Sequence, residues 1–358
     1  MEQIPIGRRT LFRLLGTGAA MLGVAKIGWP LGLETAQAAE KTAPNHTLAR
    51  VVANPTNIPP PIKRDHIVHH DITLEAREVV AEIAPGATFK YMTFGGVVPG
   101  PLLRLRQGDT VKLTLKNPAD SVYIHSVDMH AVYGTGGGSA ATTVLPGQSK
   151  SVFFRAMYPG AFIYHCAVEQ LDFHISSGMY GMILVEPPQG LPKVDREFYL
   201  GQNEVYTVEH FNEKGLHRFD AQAMVREQPT YVLFNGAVNA LTSNRFGAMQ
   251  ARVGETIRVF MVNGGPNLTS SFHPIGNVWA RAWQQGALAN QPVRYLQTST
   301  VAPGSAFVGE LELPVPETIK LVDHALSRVT SQGLLAEIHV TGRENPEVFK
   351  GPSINARS

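Results

Sequence analysis

Residues 160–187 read GAFIYHCAVEQLDFHISSGMYGMILVEP. Two short apolar runs, GAFIYH and YGMILVEP, flank a more polar segment, the pattern of neighbouring strands and their connection. The connection opens with Cys166, the only cysteine in 358 residues. His165 directly precedes it, and His174 and Met179 follow within the same connection. Consecutive side chains of a strand point to opposite faces, so His165 and Cys166 are not expected to serve the same ion.

Outward from this stretch the same texture continues. DTVKLTLKN (109–117) and SKSVFFRAM (149–157) are short alternating or apolar runs, and VVPGP, LPGQ and YPGA punctuate them. Gly 34 and Pro 25 supply the turns, and no long amphipathic helix interrupts. The class expected is all-β, built from Greek-key sandwiches. The pattern then repeats. LRQGDTV (105–111) resembles ARVGETI (251–257), Ile124-His125 is matched with Phe272-His273, Tyr164-His165-Cys166 with Asp323-His324-Ala325, and Ser177-Gly178-Met179 with Gln332-Gly333-Leu334. Two sandwiches of one ancestral type are expected, over 63–187 and 196–342, joined by a linker at 188–195. Residues 39–62, with NPTNIPPPIK, read as an extended arm, and 343–358 as a tail.

The second copy has Ala325 for Cys166 and Leu334 for Met179, so sulfur chemistry belongs to the first domain alone. One thiolate, two imidazoles and a thioether form the donor set of a blue (type 1) copper site, whereas structural zinc favours several cysteines. Cys166, His174 and Met179 supply three of the four ligands, and His125 in YIHSVDMHA is the best candidate for the fourth. Any one of these alone would more readily be a buried thiol, a hydrogen-bonded histidine or core filler. Their order ahead of a closing strand favours copper.

His130 and His165 are left as a second pair facing away from that loop. His324, the repeat partner of His165, is the natural third ligand. Three neutral imidazoles and a water make an open site for a small anion. Asp128, two residues before His130, and His273 in SSFHPIG are placed to handle protons there. Apart from a metal, Asp128 would be a capping carboxylate and His273 a satisfied core histidine. His69 and His70 read as strand residues. His46, His66, His210, His217 and His339 have no partner pattern and read as surface or structural.

The N-terminus carries RRTLFR (8–13), the mostly apolar LLGTGAAMLGVAKIGWPLGL (14–33) and a small-residue cleavage site at Ala36-Gln37-Ala38. Residues 1–38 therefore read as a signal of the twin-arginine type, which implies a periplasmic mature protein. Lys26 argues against a permanent anchor, and with no cysteine beside the cleavage site a lipid-modified N-terminus is not expected. The whole chain has a formal net charge of +2, and removing the signal leaves it near neutral. Nucleic-acid binding is not expected.

Together, HSVDMHA, GTGGGSA, YHCAVEQLDFHISSGMYGMILVEP, GGPNLTSSFHPIG and LVDHALSRV resemble the copper-containing nitrite reductases. The resemblance spans about residues 60–342. A Cys-to-His loop one residue shorter than in the best-known members is similar to the subgroup with the outer-membrane enzyme of pathogenic Neisseria. The resemblance implies two tandem cupredoxin domains and two copper ions per chain. Type 1 copper would be held by His125, Cys166, His174 and Met179, and type 2 copper by His130, His165 and His324. Asp128 and His273 match the catalytic pair, and Ile275 the residue shaping the pocket over the copper. It further implies one-electron reduction of nitrite to nitric oxide and water, with the electron passing through Cys166-His165. A homotrimer would place the type 2 site at a subunit interface, and a periplasmic cupredoxin or c-type cytochrome would be the donor. Val132-Tyr133 and the LELPVPETIKLVDH run, which lacks a Pro-Gly turn, depart from the usual pattern.

A two-domain multicopper oxidase of the laccase kind would share the folds and the type 1 site. It would also need paired H-x-H motifs and H-C-H, where this chain has H-C-A and no H-x-H. A non-enzymatic copper electron carrier would leave His130, His165 and His324 structural. Two coppers per chain fit the reductase, four the oxidase and one the carrier.

Overall fold

The computed structural model describes residues 49–351; the proposed signal segment, His46 and the last seven residues lie outside them. The first sandwich pairs a five-stranded sheet with a four-stranded one. In the five-stranded sheet the long strand His69–Ala84 changes partner midway. His69–Glu75 runs parallel to Thr110–Lys116, and Ala76–Ala84 runs antiparallel to Ala87–Phe94. Ser149–Arg155 and Gly215–His217 complete its edges. The four-stranded sheet is ordered Leu103–Arg106, Tyr180–Glu186, Gly160–His165 and Asp128–Met129. Leu74, Phe94 and Leu113 of one sheet meet Leu103, Tyr164 and Ile183 of the other in a shared core.

The second sandwich repeats this plan with six and five strands. Arg196–Val205 and Thr256–Gly265 lie in the larger sheet, and Glu317–Asp323 pairs with Ser270–Ile275 in the smaller one. The likeness extends to individual bonds. The N–H of Arg106 donates to Asp109 at 2.8 Å, and that of Arg252 to Glu255 at 2.9 Å. Gly108 and Gly254 between them take φ of 95° and 88°, a region open to glycine at little cost. The two tandem domains are cupredoxin-like β-sandwiches.

A third apolar cluster joins the sandwiches. Tyr91, Ile163, Tyr180, Met182 and Leu184 pack with Tyr199, Val205, Phe260, Val262 and Val308. Every residue of Tyr180–Glu186 is buried. Ile183 and Val185 face the first sandwich core, while Met182 and Leu184 face the second domain. A strand covered on both faces reads as an unbroken apolar run, which is why YGMILVE shows no alternation.

The segment from Cys166 to Met179, read as a loop, contains the short helix Leu171–Ser176, and His174 sits in its last turn. The helices among the described residues are three to six residues long, and none is long and apolar enough to cross a membrane.

Candidate metal centres

Strand alternation separates two clusters. Along Gly160–His165, Ala161 and Ile163 face the second domain, whereas Phe162 and Tyr164 pack toward the first sandwich core. Continuing the pattern puts Cys166 in that core and His165 on the opposite side. The partner strand behaves alike. Met129, opposite Tyr164, enters the core, while Asp128, opposite His165, gathers with His130 and His165. Asp128 and His130 stand two residues apart, the spacing of one strand face. The strand ends at Met129, yet their polar atoms come within 4.8 Å of one another and of His165.

The first cluster comprises His125, Cys166 and His174, all buried. Cys166 Sγ lies 3.8 Å from His125 Nδ1 and 3.4 Å from His174 Nδ1. Met179 is fully buried in the same core as Cys166. Backbone bonds tie the group together: the N–H of Cys166 donates to Met179 O at 3.1 Å, and that of Met179 to His174 O at 3.1 Å. Burial pushes both imidazoles down to about 4, so they are neutral and free to ligate. Burial pushes the Cys166 thiol up, against N–H groups around Ser126, Ala167 and Val168 that favour the thiolate. A cation held between the three side chains would favour the thiolate that burial disfavours. The donor set of one thiolate, two neutral imidazoles and a nearby thioether fits copper.

In the second cluster His130 Nε2 and His165 Nε2 are 3.2 Å apart. His165 donates its Nδ1–H to the carbonyl of Cys166 at 2.9 Å, which fixes the tautomer and turns the Nε2 lone pair outward. Burial, and then the neighbouring His165, hold His130 below its ordinary value, so this imidazole too favours the neutral form. The pair fits a metal held from one side. GTGGGSA has its reason here. Gly137, at φ 53°, runs so close that a Cβ would stand 2.0 Å from Asp128 Oδ1. Only glycine lets the backbone close over that carboxylate.

His324 does not join His130 and His165 within the chain. Its ring lies 5.4 Å from that of His273. His273 donates its Nδ1–H to Gln297 O at 2.7 Å, leaving Nε2 free, and Ile275 is 39% exposed on the same strand. The repeat matching needs a correction. Strand registers oppose Met129 to Tyr164 and Phe272 to Asp323. If Asp323 corresponds to Tyr164, His273 corresponds to His130, not to His125. Each domain therefore carries a histidine pair of one geometry, with ring separations of 5.2 Å and 5.4 Å.

Of the other histidines, His69 and His70 lie in a strand, where they contact Thr110 and Asp109. His217 is buried and donates to Glu213 O at 2.7 Å, and His339 lies 3.4 Å from Glu337. Sequence reasoning missed the supports. Ser126 Oγ accepts from Ala167 N at 3.2 Å, and Asn203 of the second domain reaches the His174 segment. Contacts between residues so far apart in the chain leave no local sequence signal.

Residues 75–190 match the multicopper oxidase family. The chain is 42% identical to a copper-containing nitrite reductase of Neisseria meningitidis, over 84% of this chain and 76% of that protein. It is 32% identical to one from Cereibacter sphaeroides, over 93% and 96%. Among solved structures, a copper nitrite reductase from Nitrosomonas europaea superposes with a TM-score of 0.69 at 35% identity, covering 81% of this chain and all of that one. With relatives at this identity over most of its length and a cysteine–histidine cluster that fits copper, the chain belongs to the copper-containing nitrite reductases.

Proposed function

We propose that this oxidoreductase reduces nitrite by one electron, with two protons, to nitric oxide and water, using two coppers per chain. His125, Cys166, His174 and Met179 would hold a type 1 copper, and His130, His165 and His324 a type 2 copper. When bound, the metals would supply one-electron transfer at the first site and Lewis-acid binding of the anion at the second. Cys166 and His165 are consecutive, so one peptide link joins the two sets of ligands. Asp128, held against His130 and His165 beneath Gly137, would take a proton from water and relay it to the leaving oxygen. His273, with Nδ1 engaged by Gln297, would direct Nε2 to the same anion. Ile275 would limit how nitrite lies in the pocket.

The observation that carries this reading is the pair of histidine pairs. His130–His165 has an open side and lacks a third imidazole, while His273 and His324 stand unused in the second domain. Packing the second domain of one copy on the first domain of another completes both. Such head-to-tail contacts can close into a ring, and the likeness to the family implies a ring of three, a homotrimer. The electron would come from a cupredoxin or c-type cytochrome docking on the first domain, and the chain would work in the periplasm.

The test is anaerobic. Copper-loaded, dithionite-reduced protein, freed of dithionite, is mixed with nitrite while nitric oxide is recorded. Re-oxidation with one nitric oxide per electron removed is expected. Re-oxidation by oxygen alone, with no response to nitrite, would favour an oxidase.

A further inference from the structure

The ligands of the proposed type 1 site belong to the first domain, but the segment bearing two of them is held from the second. His174 is followed two residues later by Ser176, and Met179 is followed directly by Tyr180. Asn203, in strand Arg196–Val205 and with no exposure, touches both sides of this segment. Its Nδ2 donates to Ser176 O at 3.0 Å, and its Oδ1 accepts from the Tyr180 hydroxyl at 3.4 Å. Ser176 Oγ adds a bond to Glu204 O at 2.8 Å. The Tyr180 ring lies against Gly264, where a Cβ would stand 2.8 Å from it. Phe173 packs on Phe219 with ring centroids 4.3 Å apart.

We infer that Asn203 is a positioning residue for the type 1 copper: its carboxamide clasps Ser176 and Tyr180 and so fixes where His174 and Met179 stand relative to Cys166. This rests on the type 1 reading above. One planar amide spans the segment in which a histidine and a thioether must keep a set distance. Such outer contacts orient metal ligands and tune the metal. The Met179 thioether would be a weak ligand whose placement tunes the redox potential of the copper.

The test uses the full-length, copper-loaded protein. Asn203→Leu removes both bonds at similar volume. Tyr180→Phe removes only the bond to Oδ1. Asn235→Leu is the control, since Asn235 is an equally buried amide of the second domain that bridges Gly201 N and Ala53 O instead. For N203L the ratio of the two visible thiolate-to-copper bands changes, the reduction potential moves, and a chelator strips that copper about tenfold faster. Y180F shifts the same way by less. N235L unfolds at lower temperature with spectrum and potential unchanged.

Unchanged spectrum and potential in N203L, or an equal shift in N235L, would overturn the assignment. If N203L does not fold, Y180F carries the test, and an unaltered spectrum and potential there would overturn it. Absence of any thiolate-to-copper band in the unsubstituted protein would instead sink the type 1 reading beneath it.

Discussion

Asp128 shows how much one residue's surroundings decide. It sits one residue outside the core-facing Met129, so its carboxylate falls on the side of His130 and His165. Replacing it by Asn keeps the size and removes the ionisable group. D128N should lower nitrite turnover roughly 100-fold or more with copper content unchanged, as read by steady-state kinetics and metal analysis. A D128N enzyme of full activity would remove Asp128 from the proton path. Gly137→Ala should do similar harm from outside the cluster, since its Cβ would collide with Asp128 Oδ1.

The segregation of Cys166 from His165 was legible because strand alternation is a two-residue rule that needs no tertiary knowledge. The match of His273 to His125 was not reliable. A short motif, aromatic or aliphatic then histidine, occurs more than once in the repeat, and only strand register separates the choices.

Among the elements, the turn between Leu103–Arg106 and Thr110–Lys116 has more work than its sequence suggests. Asp109 is fully buried and accepts from Arg64 Nη1 at 2.8 Å, Val68 N at 3.0 Å, Arg106 N at 2.8 Å and His70. Burial alone would raise its pKa. The guanidinium, the two N–H groups and His70 outweigh it and hold the carboxyl down at about 2. The stability this group adds is therefore complete above about pH 4 and lost as pH falls from about 4 toward 2, and amounts to about 2 kcal/mol. D109N should unfold more readily than the unsubstituted protein at neutral pH, and the gap should close in that acid window; an unchanged gap at pH 2 would contradict it. The likeness of LRQGDTV and ARVGETI in sequence reflects this shared turn, because a carboxylate and a positive-φ glycine are local requirements. The helix Leu171–Ser176 was hidden for the opposite reason. Six residues are too few for periodicity, and its fit against the second domain is a matter of packing.

At the scale of the whole molecule, the two domains are also joined by a buried chain of alternating charge. Arg104 bonds Glu186 at 2.5 Å and Glu197 at 2.6 Å, Arg258 bonds Glu197 at 2.6 Å and Glu310 at 2.6 Å, and Arg281 closes on Glu310. Removing one member strands its partners away from water. E197Q should cost about 3–5 kcal/mol in unfolding free energy. R218A, breaking the exposed pair with Glu209, should cost under about 1 kcal/mol. Equal losses from the two would show that burial does not govern this network. None of this chain was foreseen, since its members spread from residue 104 to residue 310. The two-domain plan was foreseen, because it is written in local runs and spacings.

Copper per chain, measured with the visible spectrum on the purified protein and on C166A and H324A, tests the central claim most directly. The account predicts two coppers and a thiolate-to-copper band in the unsubstituted protein. C166A should keep one copper without the band, and H324A one copper with it. A single copper in the unsubstituted protein that H324A leaves untouched would contradict a second site built from His130, His165 and His324.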